Sequence, residues 1–79
     1  MVVKVYSTPT CPYCHMAKDF LNANKIKFED IDVSEDETAR NDMVEKSGQL
    51  GVPVLDIDGQ IVVGFDKKKI AKILKIKEK

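Results

Sequence analysis

Residues 7–20 read STPTCPYCHMAKDF and hold both cysteines of the chain, its single histidine and two of its three prolines. Pro9 and Pro12 break the apolar run that precedes them. Beyond Pro12, the residues Tyr13, Met16, Ala17, Phe20 and Leu21 recur at the i, i+3, i+4, i+7, i+8 spacing of one helix face. Proline is favoured at the first helical position, where its missing N–H is no loss, so Pro12 places Cys11 at the N-cap. Upstream, Val2 to Tyr6 is apolar and β-branched around Lys4 and predicts a mostly buried strand. Downstream, Asn22 and Asn24 mark the helix end, since asparagine tolerates the left-handed cap conformation. Lys27 to Val33, with Phe28, Ile31 and Val33 set among acids, predicts a second strand. Strand, helix and strand within about thirty residues predict a right-handed βαβ crossover and a parallel pair.

Ser34 followed by Glu37 matches a capping box and predicts a second helix, with Ala39, Met43 and Val44 inward and Gly48 as its C-terminal cap. In GVPVLDIDGQIVVGF, residues 51–65, a short strand is expected at Val54, Leu55 and Ile57. Asp58-Gly59 signals a hairpin turn, and Ile61 to Val63 its antiparallel partner. Asp66 can then cap a last helix, KKKIAKILKIKEK, whose inward face is Ile70, Ile73 and Leu74. The order is β-α-β-α-β-β-α: an α/β chain with a mixed four-stranded sheet flanked by three helices. Residues 1–79 hold no linker or repeat and are expected to form one small domain.

Thirteen basic residues balance thirteen acidic ones, so net charge points to neither nucleic acid nor membrane as a partner. The charges are segregated, however. Residues 29–45 carry eight acids and one base, and residues 67–79 carry seven lysines and one acid. Both segments read as solvated helical faces. The N-terminal MVVKVYST is too short and polar for a signal peptide, and nothing approaches the roughly 18 apolar residues of a membrane span. The expected location is cytoplasmic, where disulfides are transient and catalytic rather than structural. Cysteines three apart also close too short a loop to stabilise a fold.

An N-cap sulfur faces the unpaired N–H groups and the positive end of the helix dipole, which favour thiolate, the nucleophile of disulfide exchange. Cys14, one turn further in, can attack a mixed disulfide on Cys11 or close an internal one. C-x-x-C beside a βαβ pattern therefore signals redox chemistry. Zinc needs four ligands, and Cys11, Cys14 and His15 exhaust the cysteines and histidines, so a metal site is not expected. CPYCH also matches a haem-attachment pattern, but no export signal is expected and the element order leaves too few helices to enclose a macrocycle. His15 is either a solvated imidazole or a group tuning the thiols. Tyr13 either packs on the helix face or flanks the active-site groove.

CPYC after a first strand, GVPV before the hairpin and GFD after it together resemble the glutaredoxins, in order and spacing across essentially the whole chain. The resemblance implies a thioredoxin-like fold and a thiol–disulfide oxidoreductase acting on protein disulfides or glutathione mixed disulfides. Cys11 would be the nucleophile and Cys14 the resolving thiol, with Thr10 and Pro12 in structural and tuning roles. Pro53 matches a cis-proline opposite the active site, and Val52 would pair its backbone with extended glutathione or peptide. Gly64, Phe65 and Asp66 match a segment whose N–H groups receive the γ-glutamyl carboxylate while the aspartate pairs with its ammonium. Arg40 aligns with a residue that binds the glycyl carboxylate, and Tyr13 would line the same groove.

Three departures from the family pattern bear on the electron donor. STPT lacks the base glutaredoxins carry before the first cysteine, and Thr8 stands in its place. Gly51 replaces a usual threonine. Phe65 replaces the cysteine of Gly-Cys-Asp, as in redoxins that serve ribonucleotide reductase and take electrons from thioredoxin reductase, although those lack the acid kept here as Asp66. Lys67, Lys68 and Lys69 are either a solvated basic face or an attraction for an anionic ligand. The favoured reading is a monomer with no bound cofactor, reduced by glutathione as co-substrate and acting on disulfide-containing or glutathionylated proteins. The alternatives are reduction by a thioredoxin-reductase-like flavoenzyme and, less favoured, iron–sulfur or zinc binding through the C-x-x-C.

Overall fold

The computed structural model describes residues 2–49 and 51–75. Its elements run β1 (Val3–Ser7), α1 (Pro12–Ala23), β2 (Glu29–Asp32), α2 (Glu37–Ser47), β3 (Val54–Ile57), β4 (Gln60–Val63) and α3 (Lys67–Leu74). The sheet order is β2-β1-β3-β4. β1 pairs parallel with β2 through Tyr6↔Ile31 and antiparallel with β3 through Val5↔Leu55. The β-α-β-α-β-β-α order and the mixed four-stranded sheet are those expected from the sequence. The stretch of the predicted last helix from residue 76 onward lies outside the described residues.

Alternation along the strands divides the core between the two faces of the sheet. Val3, Val5, Leu55, Ile57 and Val62 pack against Ala17, Leu21 and Ile70, so α1 and α3 cover one face. Tyr6 and Val54 pack with Val33 against Met43, so α2 covers the other. The β3–β4 hairpin turns through Asp58 (φ 53°) and Gly59 (φ 92°), the pair of left-handed residues that a two-residue turn of this hand requires.

Local details depart from the sequence reading at four places. Of the predicted α1 face, Ala17 and Leu21 are buried but Tyr13 and Met16 are 62% and 48% exposed; Cys14 takes the inward place. The core-facing line is thus rotated by about one residue. The chain leaves α1 through Lys25 (φ 58°), while the cap, Asn24, keeps φ −98°. The N-cap of α2 is Asp36, whose Oδ1 accepts from the Ala39 N–H at 3.0 Å. Ser34 instead donates its hydroxyl to Asp32 at 2.6 Å, so the predicted capping box does not form. β2 is shorter than the predicted 27–33.

Asp56 lies mid-strand in β3, where a buried carboxylate is costly unless paired. Lys46 of α2 reaches over to it at 2.9 Å and also meets Asp42 at 3.2 Å. Tyr6 donates its hydroxyl to Asp42 at 2.9 Å, and the other Asp56 oxygen accepts from the Gly59 N–H at 2.9 Å. This network fastens α2 and the hairpin to the sheet. The Asp56 carboxylate, against the cost of burial, holds the Lys46 ammonium above its ordinary range, with Asp42 and Tyr6 assisting.

Candidate functional site

Cys11 follows a tight loop in which its own N–H donates to the Thr8 carbonyl at 3.3 Å. His15 braces the loop from the helix side, with Nε2 3.0 Å from the Pro9 carbonyl oxygen, so this nitrogen carries the proton. Extended backbone at Cys11 and proline at N1 make Cys11 the N-cap. The Cys14 N–H, an orphan donor of the helix start, points at Cys11 Sγ at 3.3 Å. A cysteine sulfur thus does the work usually done by a serine or aspartate oxygen. The Cys11 thiol in turn lies 3.7 Å from the Val52 carbonyl oxygen.

The Val52–Pro53 bond is cis. Pro53 is buried, and its carbonyl accepts from the Gly64 N–H at 2.8 Å. Gly64 takes φ 76°, which suits a residue without Cβ. Phe65 follows, packed edge-on against Phe20 with ring centroids 6.1 Å apart. Asp66 caps α3 through Oδ1, which accepts from the Lys69 N–H at 3.1 Å. The fold therefore joins Cys11, Cys14, Val52, Pro53 and Gly64 through direct contacts, with Phe65 and Asp66 next along the chain and Tyr13 on the first turn of α1. Thr10 is exposed beside Cys11. Arg40 is exposed on α2, and among the described residues no side-chain hydrogen bond or ion pair links it to this group. No three His, Cys, Asp or Glu side chains among the described residues stand where they could hold a metal ion together.

The two thiols are unlike. Cys11 is partly exposed and Cys14 fully buried. Burial, reinforced by the hydrogen bond and charge of Cys11, pushes the Cys14 thiol up to about 11, against the pull of the Thr8 backbone and Lys18. Lys18 is held by Asp30 at 3.1 Å, and Asp30 accepts from the Ser7 hydroxyl at 2.8 Å. Burial raises the Asp30 carboxyl, but Ser7 and Lys18 outweigh it and hold it below its usual range. The sequence reading overlooked this chain of contacts. Its signals were a serine at the end of a buried strand and a lysine one turn beyond Cys14.

The raised Cys14 thiol predicts an alkaline weakness. The folded chain keeps this proton to about 11, whereas the unfolded chain releases it near the ordinary 9.0. Stability is then whole below about pH 9 and falls between 9 and 11, by up to about 3 kcal/mol. Lys46, whose raised ammonium stabilises until pH passes its ordinary range, adds a loss at the upper end. Thermal melts over this range should show a steeper decline for the reduced wild type than for Cys14→Ala. Parallel declines would mean that Cys14 does not titrate differently on unfolding.

A mixed sheet with helices on both faces, a C-x-x-C at the start of α1 and a cis-proline against it define a thioredoxin-like redox protein. The comparisons with known proteins narrow the class. A family model described as Glutaredoxin matches residues 3–62, and the chain belongs to the glutaredoxin family. It is 47% identical over 73 residues (92% of this chain, 97% of the relative) to an uncharacterized glutaredoxin-like 8.6 kDa protein in the rubredoxin operon of Clostridium pasteurianum. To glutaredoxin 3 of Escherichia coli K12 it is 36% identical over 64 residues, 81% of this chain and 77% of that one. Among solved structures, the thioredoxin-like protein BC3987 superposes with a TM-score of 0.85 at 35% identity, over 90% of this chain and 97% of that one. No helix among the described residues is long and apolar enough to cross a membrane.

Proposed function

We propose that this chain is a glutathione-dependent thiol–disulfide oxidoreductase in which Cys11 is the nucleophile and Cys14 the resolving thiol. The observation that carries the reading is the asymmetry of the two sulfurs, one partly exposed at a helix N-cap and one buried beneath it. In the first step the Cys11 thiolate attacks a substrate disulfide, forming a mixed disulfide and expelling the other sulfur as a thiolate. Cys14 then loses its proton and attacks Cys11 Sγ, closing the Cys11–Cys14 disulfide and releasing the second substrate thiol. Two glutathione thiols restore the dithiol and leave as glutathione disulfide. Part of the upward push on Cys14 comes from Cys11 itself. That part falls away once Cys11 is bonded to substrate, which eases the loss of the Cys14 proton against the burial that remains.

Glutathione would lie along Val52, whose backbone offers strand-like pairing beside cis-Pro53. Its γ-glutamyl carboxylate would meet the N–H groups at the start of α3, where the Gly64 to Asp66 segment is held by the Pro53 carbonyl. Asp66 spends Oδ1 on the helix cap, and Oδ2, which has no protein partner among the described residues, would take the ammonium. Tyr13 would line the groove, and Arg40 would reach for the glycyl carboxylate. Asn is as good an N-cap as Asp, so Asp66→Asn should keep the fold while raising the KM for glutathione about tenfold, the worth of one charge-assisted pair.

A second reading keeps the chemistry and changes the donor. Residues 7–10 carry no base for a glycyl carboxylate, and Phe65 is committed to packing on Phe20. The relative encoded in a rubredoxin operon also points to redox partners other than glutathione. Assays coupled to glutathione reductase and, separately, to thioredoxin reductase decide between the two. Brisk turnover with the first alone is expected. Turnover with the second alone would replace glutathione by a flavoenzyme as donor and make ribonucleotide reductase a substrate to test.

A further inference from the structure

The apolar face predicted for α1 is split by the fold. Cys14, Ala17 and Leu21 go into the core, while Tyr13 and Met16 stay 62% and 48% exposed. They stand on one line of the helix with the half-buried Phe20, at i, i+3 and i+7. The line begins beside Cys11 and ends under a cation, because Lys67 Nζ lies 5.7 Å from the centre of the Phe20 ring. Two of the large exposed apolar side chains thus sit in a row between the partly exposed thiol and the lysines of α3.

Those lysines are not placed for the helix. Lys67, Lys68 and Lys69 occupy the first turn of α3, where the dipole disfavours cations by some tenths of a kcal/mol each. With Lys72 and Lys75 they are exposed, against Asp19 and Asp66 as the exposed acids of α1 and the α3 cap. Most acids of residues 29–45 belong to α2 and its approach, on the opposite face of the sheet. The side of the molecule that carries Cys11 therefore presents an apolar strip ending in positive charge.

We propose that Tyr13, Met16, Phe20 and Lys67 form a docking strip for protein disulfides that carry an apolar residue two positions from the cysteine and carboxylates four or five positions away, on the same side. This deepens the function proposed above and rests on Cys11 being its nucleophile, but not on glutathione. Helical rise sets the spacing. From Cys11 to Phe20 the axis advances about 13 Å, which an extended chain covers in about four residues. The partner has its apolar residue two positions from the reacting cysteine, over Met16, and its acid four or five positions away, at Lys67. Apolar burial holds the segment, while the charge raises the encounter rate and rejects basic partners.

Pyridyl disulfides of short peptides test the strip with the full-length reduced protein. Cys11 attacks the peptide sulfur and expels pyridine-2-thione, whose absorbance is followed; Cys14 then releases the peptide thiol, so the dithiol supplies both electrons. The parent peptide is Cys-Ser-Leu-Ser-Glu-Glu, made in both chain directions and judged by the faster one. It should react about fivefold faster than its Lys-Lys counterpart at low salt, with the gap closing at high salt. Lys67→Glu should reverse that preference, and Met16→Gln should slow the Leu peptide about threefold relative to a Ser version. Neither variant should alter reduction of neutral dithiodipyridine. Equal wild-type rates for acidic and basic peptides, or an unchanged ratio in Lys67→Glu, would overturn the strip. Failure of the wild type to reduce dithiodipyridine would instead sink the Cys11 chemistry beneath it.

Discussion

Cys11→Ser should lose more than about a thousandfold of disulfide-exchange activity, because a serine hydroxyl at the helix N-cap cannot replace the attacking sulfur. Structure should survive the change, since serine is itself a favoured N-cap and can accept from the Cys14 N–H now directed at Sγ. Cys14→Ser should behave differently. A mixed disulfide on Cys11 can still be resolved by an outside thiol, so release of glutathione from a glutathionylated protein should persist in part. Reduction of an intramolecular protein disulfide, which needs a second sulfur to free the bound substrate, should fail. The two variants are to be compared on one glutathionylated and one disulfide-bonded substrate. Full activity of both on both substrates would refute the division of labour between an exposed and a buried thiol.

The second large effect is on stability. Lys46→Met should cost about 2 kcal/mol, between the value of an exposed ion pair and that of breaking a fully buried one. The reason is what remains: an Asp56 side chain only 12% exposed, without its cation. Near neutral pH the midpoint of thermal unfolding should drop by about 8–16 °C for a domain of this size. Asp56→Asn in the same chain should recover at least half of the loss, since the amide oxygen can still accept from the Gly59 N–H while the stranded charge is removed. If the double variant were less stable than Lys46→Met, the cost would not come from an unpaired carboxylate.

Which parts of the molecule were legible in the sequence follows from the range of the forces involved. The N-cap role of Cys11 depends on Pro12 and on the first turn of one helix. The Asp58-Gly59 hairpin depends on two residues with left-handed backbone, and Gly48 ends α2 by the same local logic. Periodicity likewise fixes the type and order of the elements. The cis bond at Val52 was readable only through family resemblance, because sequence alone makes any such bond rare.

Contacts across the fold were not legible. Periodicity marks an apolar face but not its angle, and a rotation of about one residue turned Tyr13 and Met16 outward and Cys14 inward. Ser34 and Asp36 were both competent N-caps; Asp32, at the end of β2, engaged Ser34 and left the helix to Asp36. Asp56 looked like an interruption in a strand until α2 brought Lys46 within 2.9 Å of it. The chain by itself determined that two thiols stand at the start of a helix in a βαβ frame, because proline, spacing and alternation act between near neighbours. Only the tertiary structure decided which residues of α1 turn inward, what neutralises Asp56 and which side of the molecule is basic. Those are set by packing α1 and α3 on one face of the sheet and α2 on the other, between residues far apart in the chain.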